Sequence, residues 1–261
     1  MTLVLIAAIA YLLATIVLVR SLAHGPAPAR AAWMIPALVA LAAHTAKHAI
    51  AWRAGEGADM HFFGALSLVG LGMAAMTTAM AARGRMATLV VVVFPIAALL
   101  AIAYGNAGPT LGPPLDWRLQ LHAWSALLAY ATLAVAAVLA GMLWAQERAM
   151  RRREFHGWMR ALPPLVELET LLFRTIAVGF VLLSATLLTG VVFVEDLLAQ
   201  DLVHKTVLSV MSWLAFGALL LGRWRRGWRG ATAVRWTLAA MALLLLAYFG
   251  SKFVLELVLG R

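Results

Sequence analysis

The sequence predicts an all-α polytopic integral membrane protein, a bundle of about eight transmembrane helices. Of its 261 residues, 64% are hydrophobic and only 12% are charged, which leaves too few polar side chains to cover a soluble domain. Eight apolar stretches reach the roughly 20 residues that a helix needs to cross a bilayer core of about 30 Å. We predict spans at residues 2–20, 31–52, 62–82, 87–104, 121–145, 171–194, 204–222 and 234–258.

The first four spans are separated by short connections that carry turn residues. The first apolar run begins at once after Met1, and its first positive charge, Arg20, comes after the run. This order is typical of an uncleaved helix whose N-terminus lies outside, not of a signal peptide. Glycine and proline then mark turns at residues 24–28, 55–57 and 105–109.

The last four spans include the longest connection of the chain. It runs from Gln146 to Thr170, is rich in charge, and contains Pro163 and Pro164 before the sixth span. No connection is long enough to form an extramembrane domain, and no internal repeat is visible. The sequence therefore predicts that residues 1–261 form a single membrane domain.

The distribution of positive charge predicts the orientation. Fifteen of the 21 Lys and Arg residues lie in or beside the first, third, fifth and seventh connections. Positive residues favour the cytoplasmic side, so these connections should be cytoplasmic and both termini should lie on the outer, periplasmic side. We expect a multi-pass protein of the bacterial inner membrane, whose first partner is the lipid bilayer.

Composition also excludes several classes of site. The chain has no cysteine, so disulfides, thiolate-ligated metal clusters and haem attachment through its own thioethers are absent. Its net charge of +10 comes from short arginine clusters between apolar runs, not from the basic face of a polar domain. We therefore expect no nucleic-acid partner. No catalytic constellation is visible, and an enzymatic activity is not predicted.

Five of the seven histidines gather toward the predicted outer side, on four different spans: His44, His48, His61, His122 and His204. His44 lies about 20 Å into a helix that starts inside, at 1.5 Å per residue, and the last three stand at the starts of spans that enter from outside. Imidazole at such a depth can bind haem iron, bind zinc or copper, relay protons, or simply hydrogen-bond a neighbour.

The spacing of His44 and His48 restricts how they can act. They are four residues apart and share a helical face, so both cannot be the axial ligands of one haem, although they can chelate a small metal. A haem with two histidine ligands needs a second helix. His44 and His122 supply such a pair, with His48 as the alternative to His44. Near the C-terminus, Lys252 and Glu256 have the same spacing and are predicted to pair.

From about residue 115 onward, the chain resembles the cytochrome c assembly family, the CcsA/HemX group, and within it the YpjD-type inner-membrane proteins. The matching segments are 121–130 (LHAWSALLAY), 162–169 (LPPLVELE), 205–213 (KTVLSVMSW), 227–230 (GWRG) and 246–251 (LAYFGS). The first half of the chain is similar more loosely, through His44 and through His61 with Phe62.

The resemblance implies a haem-handling membrane protein of about eight spans that is associated with c-type cytochrome biogenesis. It implies cofactor-binding roles for His122, His204 and His61, with haem b as the cofactor. The synthases of the family carry a tryptophan-rich loop that presents haem to the apocytochrome, and here the corresponding residues 195–201 contain no tryptophan. The resemblance thus implies an accessory haem-binding protein, with other membrane or cytochrome biogenesis proteins as partners.

Two other functions compete with this one. A transporter would use His44, Lys47, His48 and Lys252 to line a polar path, but the sequence shows no inverted repeat and no pair of broken half-helices. A transporter-associated or other regulatory subunit would keep the fold without haem and dock through its arginine-rich cytoplasmic loops.

Overall fold

The computed structural model describes residues 1–24, 30–55, 57–83, 87–110, 116–153, 163–193 and 200–258. Within these ranges every regular element is a helix. The helices are α1 (Thr2–His24), α2 (Arg30–Gly55), α3 (Phe62–Ala82), α4 (Ala87–Ala107), α5 (Trp117–Arg152), α6 (Leu165–Phe193), α7 (Gln200–Arg226) and α8 (Ala231–Leu245), and the chain of α8 continues through two π-helical segments, Leu246–Gly250 and Phe253–Val258.

The described helices confirm the predicted class. Eight of them are long and apolar enough to cross a membrane. Several expose large apolar side chains, as a lipid-facing surface does: on α6, Val181, Leu188, Val191 and Val192 are 67–71% exposed. The orientation of the termini remains a prediction.

The helix boundaries differ from the predicted spans mainly around the longest connection. Helix α5 extends to Arg152, and α6 already begins at Leu165, whereas its span was predicted from residue 171. Proline is tolerated just before the first helical turn, and Glu167 in that turn interacts favourably with the helix dipole, so the helix starts directly after Pro164. The predicted end of this span, Val194, lies outside the described residues.

The chain divides into two compact units, which we describe separately. Unit 1 comprises residues 1–114 and 148–164, and unit 2 comprises residues 115–147 and 165–261. The single membrane domain of 1–261 remains a prediction.

Unit 1 contains α1 to α4. Helix α1 packs on α2 and α4, and α3 packs on α4 and α2. The core is built from many fully buried alanines, around the larger side chains of Tyr11, Trp33 and Phe94. Small residues let helix backbones approach closely, which is the main way that membrane helices gain packing energy.

Unit 2 contains α5 up to Glu147 and α6 to α8 with the π-helical segments. A Cβ at Gly179 of α6 would lie 2.5 Å from Leu133 Cδ2, so glycine is needed where α5 and α6 touch. Ser212 donates a 2.8 Å hydrogen bond to the Ala240 carbonyl and so joins α7 to α8. Tyr130 of α5 donates to the Leu244 carbonyl at 2.5 Å, just before the first π-helical segment.

The predicted pair in the last helix is confirmed, because Lys252 Nζ lies 2.5 Å from Glu256 Oε1. At the end of unit 2 that is predicted to be cytoplasmic, Glu169 is 4% exposed and accepts a 2.8 Å hydrogen bond from Arg223. The Nε atom of Arg229 lies 3.6 Å from the same carboxylate. Two arginines of residues 223–229 therefore hold the start of α6 against the end of α7 and the connection that follows it.

Candidate functional site

The five predicted site histidines fall into two groups, one in each unit. His44, His48 and His61 belong to unit 1, and His122 and His204 belong to unit 2. Each group has its own set of partners.

His44 is almost fully buried, with 1% of its surface exposed. Its Nδ1 atom lies 3.3 Å from the hydroxyl of Tyr11, and its Nε2 atom lies 2.8 Å from Ser67 Oγ. Both ring nitrogens therefore have hydrogen-bond partners, on α1 and on α3. This arrangement satisfies a polar side chain that would otherwise be unpaired inside the helix bundle.

His48 shares the Ser67 partner of His44. Its Nε2 atom lies 3.0 Å from Ser67 Oγ, and its ring stacks on Tyr104 at 4.7 Å with an angle of 3° between the planes. A serine hydroxyl has one proton, so Ser67 can donate to only one of the two imidazoles and must accept from the other. One of the two imidazoles therefore accepts a hydrogen bond from Ser67, and the other donates one to it.

His61 forms a pair with a buried carboxylate. Its Nδ1 contacts Oδ1 of Asp59, which is 8% exposed, in a short hydrogen bond. The other oxygen of Asp59, Oδ2, accepts from the Tyr104 hydroxyl at 3.2 Å and from the Thr110 backbone N–H at 3.0 Å. Among the described residues, no group hydrogen-bonds to the buried Nε2 of His61.

The hydrogen-bond partners of Asp59 lower its pKa by more than its burial raises it. Burial alone raises the pKa of this carboxyl, but the hydrogen bond and the charge of His61, together with the backbone N–H groups of Thr110 and His61, bring the pKa below its usual value. The carboxylate therefore stays ionised at neutral pH and orients the imidazole of His61.

In unit 2, His122 lies beside a cavity and is held by α6. Its Nδ1 atom is 3.2 Å from Thr189 Oγ1. The Thr189 hydroxyl is also 2.9 Å from the Ala185 carbonyl and 3.0 Å from the Thr186 carbonyl, to which it can only donate. When its proton is used for one of these carbonyls, the hydroxyl accepts from His122, and in that tautomer Nδ1 carries the proton and Nε2 keeps its lone pair.

A glycine of α6 makes room for this imidazole. A Cβ at Gly190 would lie 3.2 Å from His122 Cε1, closer than most real contacts. The ring thus packs directly against the backbone of α6, which restricts its orientation.

The cavity beside His122 has a volume of about 330 Å³. Much of its lining is apolar, with Leu183, Leu187, Val210 and Ala247 among the lining residues. The polar groups of the lining are the side chains of His122, Tyr130, Thr186, Lys205, Thr206, Ser209 and Tyr248. An apolar cavity with a few directed polar groups is the usual form of a small-molecule site.

Two predictions about the site remain: His204 as a cofactor-binding residue, and the pairing of His44 with His122. His204 is exposed and, among the described residues, does not belong to the cavity lining, although the next residue, Lys205, does. The pair of His44 and His122 involves two units that are described separately, so it stays a prediction. Within the described ranges, no group of three His, Asp or Glu residues is arranged to hold a metal ion.

The sequence reasoning missed several residues of these clusters. Tyr11, Ser67 and Tyr104 are single polar residues inside apolar helices, and nothing in the sequence separates them from other such residues. Asp59 had a signal, because it stands two residues before His61 in a connection with few other polar groups. Lys205 was noted only as the first residue of the segment 205–213 that carries the resemblance.

Comparison with known proteins identifies the family. The family model described as "Cytochrome C assembly protein" matches residues 32–259. The chain belongs to the cytochrome c assembly protein family.

Relatives agree with this membership of the cytochrome c assembly family. The Escherichia coli (strain K12) inner membrane protein YpjD is 30% identical over 97% of this chain and 98% of its own length. An uncharacterised 28.8 kDa protein of Azospirillum brasilense is 40% identical over 57% of this chain and 55% of its own. The cytochrome c biogenesis protein CcsA of Prochlorococcus marinus (strain MIT 9515) is 34% identical over 33% of this chain and 28% of its own. No solved structure matches the chain.

Membership in the cytochrome c assembly family fixes the class and the location of the protein. It is a multi-pass protein of the bacterial inner membrane, with a function related to haem handling. The family match does not favour the transporter that the sequence left as an alternative. Helix α1, whose Tyr11 contacts His44, lies outside the residues that the family model matches.

Proposed function

We propose that the protein binds a b-type haem within the membrane and that His122 would hold its iron. The observation that carries this proposal is an imidazole fixed through Nδ1 at the side of an apolar cavity of about 330 Å³. The family supplies the class of ligand, and the geometry of His122 supplies the means of holding it.

The hydrogen bond from His122 to Thr189 suits a metal ligand. Histidines that bind metals almost always donate the second ring N–H to a protein acceptor, which fixes the tautomer and the ring orientation. Thr189 plays this part at 3.2 Å, and Gly190 lets the ring lie close to α6. The lone pair of Nε2 is then available to iron.

The largely apolar lining of the cavity suits the hydrocarbon part of a haem. Small-molecule sites typically have volumes of about 300–1,000 Å³, so this cavity is at the lower end. Haem is a large ligand for such a volume, and we expect part of the ring to extend beyond the lining residues. When bound, haem would supply redox chemistry at its iron, while the residues of this chain would bind and orient it and exclude water.

We propose that His44 would also hold the haem iron, with His48 as the alternative. Ligation by His44 requires that its Nε2 exchange the 2.8 Å hydrogen bond to Ser67 for iron. His61 is a further proposed ligand, and its Nε2 has no hydrogen bond to give up among the described residues. His204 is proposed from the resemblance alone, since its side chain is exposed.

We further propose that the protein is an accessory component that handles haem without attaching it. Residues 195–201, which correspond to the haem-presenting loop of the synthases, contain no tryptophan. Other proteins of cytochrome biogenesis are then the expected partners.

The test is an optical spectrum of detergent-purified protein, made by cells supplied with haem. The wild type should show a Soret band and the pyridine haemochrome of haem b. His122→Ala should reduce haem content by at least about tenfold, the effect of losing roughly 1.4 kcal/mol or more of metal-ligand binding. His24→Ala is the matched control, because it removes an imidazole at the end of α1 and His24 is not one of the five predicted site histidines.

Two results would contradict the proposal. A wild-type protein that carries no haem after supplementation excludes haem binding. An unchanged Soret band in His122→Ala, with the same haem content as His24→Ala, excludes His122 as the ligand.

A further inference from the structure

We infer that Tyr130 is a positioning residue of the cavity in unit 2. Its hydroxyl stands within the backbone of the last helix and keeps the π-helical segment Leu246–Gly250, which forms part of the cavity wall, in place. The inference rests on the proposed function, since this cavity is the proposed haem site. It adds a residue that acts on the ligand through the shape of the wall and not through the iron.

The Tyr130 hydroxyl occupies the place of a backbone hydrogen bond. It donates to the Leu244 carbonyl at 2.5 Å, and the backbone of Tyr248 forms a hydrogen bond with the same hydroxyl. The single proton of the hydroxyl goes to the carbonyl, so the hydroxyl accepts from the Tyr248 N–H. In an uninterrupted α-helix, the N–H of residue 248 would bond the carbonyl of residue 244 directly. The phenol therefore separates two backbone groups that would otherwise pair.

The π-helical segment begins at this insertion. It starts at Leu246, two residues after Leu244, and a side chain that enters the backbone ladder is an established cause of helix distortion. The ring of Tyr130 is fixed as well, because it is 7% exposed and packs edge-on against Phe249, with 5.4 Å between the centroids. Ring and hydroxyl together hold the distorted turn from the side of α5. Such π-helical turns are frequent at functional sites.

The distorted turn belongs to the wall of the cavity. Tyr130, Leu244, Ala247 and Tyr248 all line it, as does His122. Tyr130 follows His122 by eight residues on α5, which is about 12 Å along the helix at 1.5 Å per residue. This part of the wall therefore lies away from the imidazole that would hold the iron. If the turn relaxed to an α-helix, the wall would move and the room for the ligand would change.

Ser212 provides a matched comparison on the same helix. Its hydroxyl is buried and donates to the Ala240 carbonyl at 2.8 Å, four residues before Leu244. The backbone around Ala240 remains α-helical, since α8 continues to Leu245. Ser212 also does not line the cavity, among the residues that the structure describes there. Ser212→Ala thus removes a similar hydrogen bond between helices without touching the distorted turn.

The first measurement reports the conformation of the turn in the protein without haem. The chain has no cysteine, so Ser251→Cys places a single thiol directly after the π-helical segment, at a site that is 8% exposed. When the turn relaxes to an α-helix, each residue beyond it rotates by about 100°, the step of one residue, into the place of its successor. The thiol then takes the place of Lys252, which is partly exposed. Its reaction with N-ethylmaleimide in detergent should become faster.

Tyr130→Phe should raise this rate about fivefold, because the hydroxyl favours the π-helical turn by about one net hydrogen bond. Ser212→Ala should leave the rate unchanged. Phe253→Cys is the control for a general loosening of the helix. Phe253 is 50% exposed and would move to the place of Val254, which is 48% exposed, so its labelling rate should stay the same in Tyr130→Phe.

The second measurement is a haemin titration of the detergent-purified apoproteins. Tyr130→Phe should raise the dissociation constant about fivefold, the equivalent of about 1 kcal/mol, and Ser212→Ala should not change it. An unchanged labelling rate at Ser251→Cys overturns the inference, because a loss of affinity would then come from direct contact of the hydroxyl with the ligand.

Two other results also overturn the inference. A faster rate at both cysteines means that Tyr130 only stabilises the fold, and a faster rate at Ser251→Cys with unchanged haem affinity means that the turn does not shape the site. If the wild type binds no haem, the proposed function fails and the role of Tyr130 in ligand binding fails with it. The labelling of the apoprotein still decides separately whether Tyr130 holds the π-helical turn.

Discussion

The histidines of the two units differ in what their ring nitrogens do. In unit 1, His44 is hydrogen-bonded through both nitrogens, to Tyr11 and to Ser67. In unit 2, His122 contacts Thr189 through Nδ1 and lies beside a cavity. The comparison teaches that depth in the membrane does not by itself make a histidine a ligand: to bind iron, His44 would have to give up its contact with Ser67, whereas His122 would keep its contact with Thr189.

The polar residues of unit 1 connect its helices. Ser67 of α3 contacts His44 and His48 of α2, and Tyr104 of α4 donates to Asp59 before α3. Interhelical hydrogen bonds of this kind contribute about 0.6 kcal/mol on average between membrane helices, and up to about 2 kcal/mol. We therefore expect substitutions in unit 1 to act first on stability and those at the cavity of unit 2 to act first on ligand binding.

In the protein without haem, we expect His44→Ala to lower the free energy of unfolding much more than His122→Ala does. His44→Ala leaves the buried Tyr11 hydroxyl and the Ser67 hydroxyl without this partner, which should lower the free energy of unfolding by about 2–4 kcal/mol. His122 is only partly buried and has fewer contacts to lose, so its replacement should cost less than about 1 kcal/mol. Unfolding of the detergent-solubilised proteins measures both, and equal losses would remove the distinction between the units.

Asp59→Asn should have the next largest effect on the free energy of unfolding, about 1–3 kcal/mol. The buried carboxylate accepts from four donors: the ring and backbone N–H groups of His61, the Tyr104 hydroxyl and the Thr110 backbone N–H. The pKa of Asp59 in the folded protein lies below its usual value. Its stabilising contribution is therefore complete above the usual carboxyl pKa and is lost as the pH falls through the lowered one.

Unfolding of the wild type and of Asp59→Asn at a series of acidic pH values checks this sign. The difference in stability between the two proteins should shrink as the solution becomes more acidic. A difference that grows toward low pH would mean that Asp59 is not ionised in the folded protein.

Ser67→Ala should destabilise unit 1 by about 1–2 kcal/mol, since it removes the one hydroxyl that both His44 and His48 contact. Thr77→Val is the matched control on the same helix. Thr77 Oγ1 is buried, and no hydrogen-bond partner for it is found among the described residues, so its loss should be neutral or stabilising. Similar losses for both variants would show that Ser67 acts through packing and not through its hydroxyl.

Gly190→Ala should have the smallest effect on stability and a visible effect on the haem spectrum. The added Cβ would meet His122 Cε1 at 3.2 Å, so the imidazole must shift by a few tenths of an ångström. We expect the unfolding free energy to change by less than about 1 kcal/mol, together with a shifted Soret maximum or a changed spin state. Gly141→Ala, where nothing lies within 4 Å of the added carbon, is the control that should leave the spectrum unchanged.

The sequence predicted the features that depend on neighbours in the chain. Hydropathy located the eight helices, and i, i+4 spacing predicted the contact of Lys252 with Glu256 and the common face of His44 and His48, which both reach Ser67. The longer α5 and the early start of α6 show that hydropathy reports the apolar part of a helix and not its ends.

Contacts between distant residues were not predictable from one sequence. Tyr104 is 45 residues from Asp59, and Arg223 is 54 residues from Glu169, so their pairing depends on how the helices pack. The same holds for His204, whose exposure follows from the rotation of α7 about its axis. The cavity of unit 2 arises where α5, α6, α7 and the end of the last helix meet, and no local pattern marks it.

The most direct test of the account is a cavity rescue at His122. His122→Gly removes the imidazole and leaves space beside Thr189, and free imidazole can enter this space as an exogenous ligand for iron. We predict that His122→Gly protein lacks the Soret band of the wild type and regains it when haem and imidazole are added together, whereas His44→Gly loses stability that imidazole restores only in part. A His122→Gly protein that binds haem as the wild type does, without imidazole, would contradict the assignment of the iron ligand to unit 2.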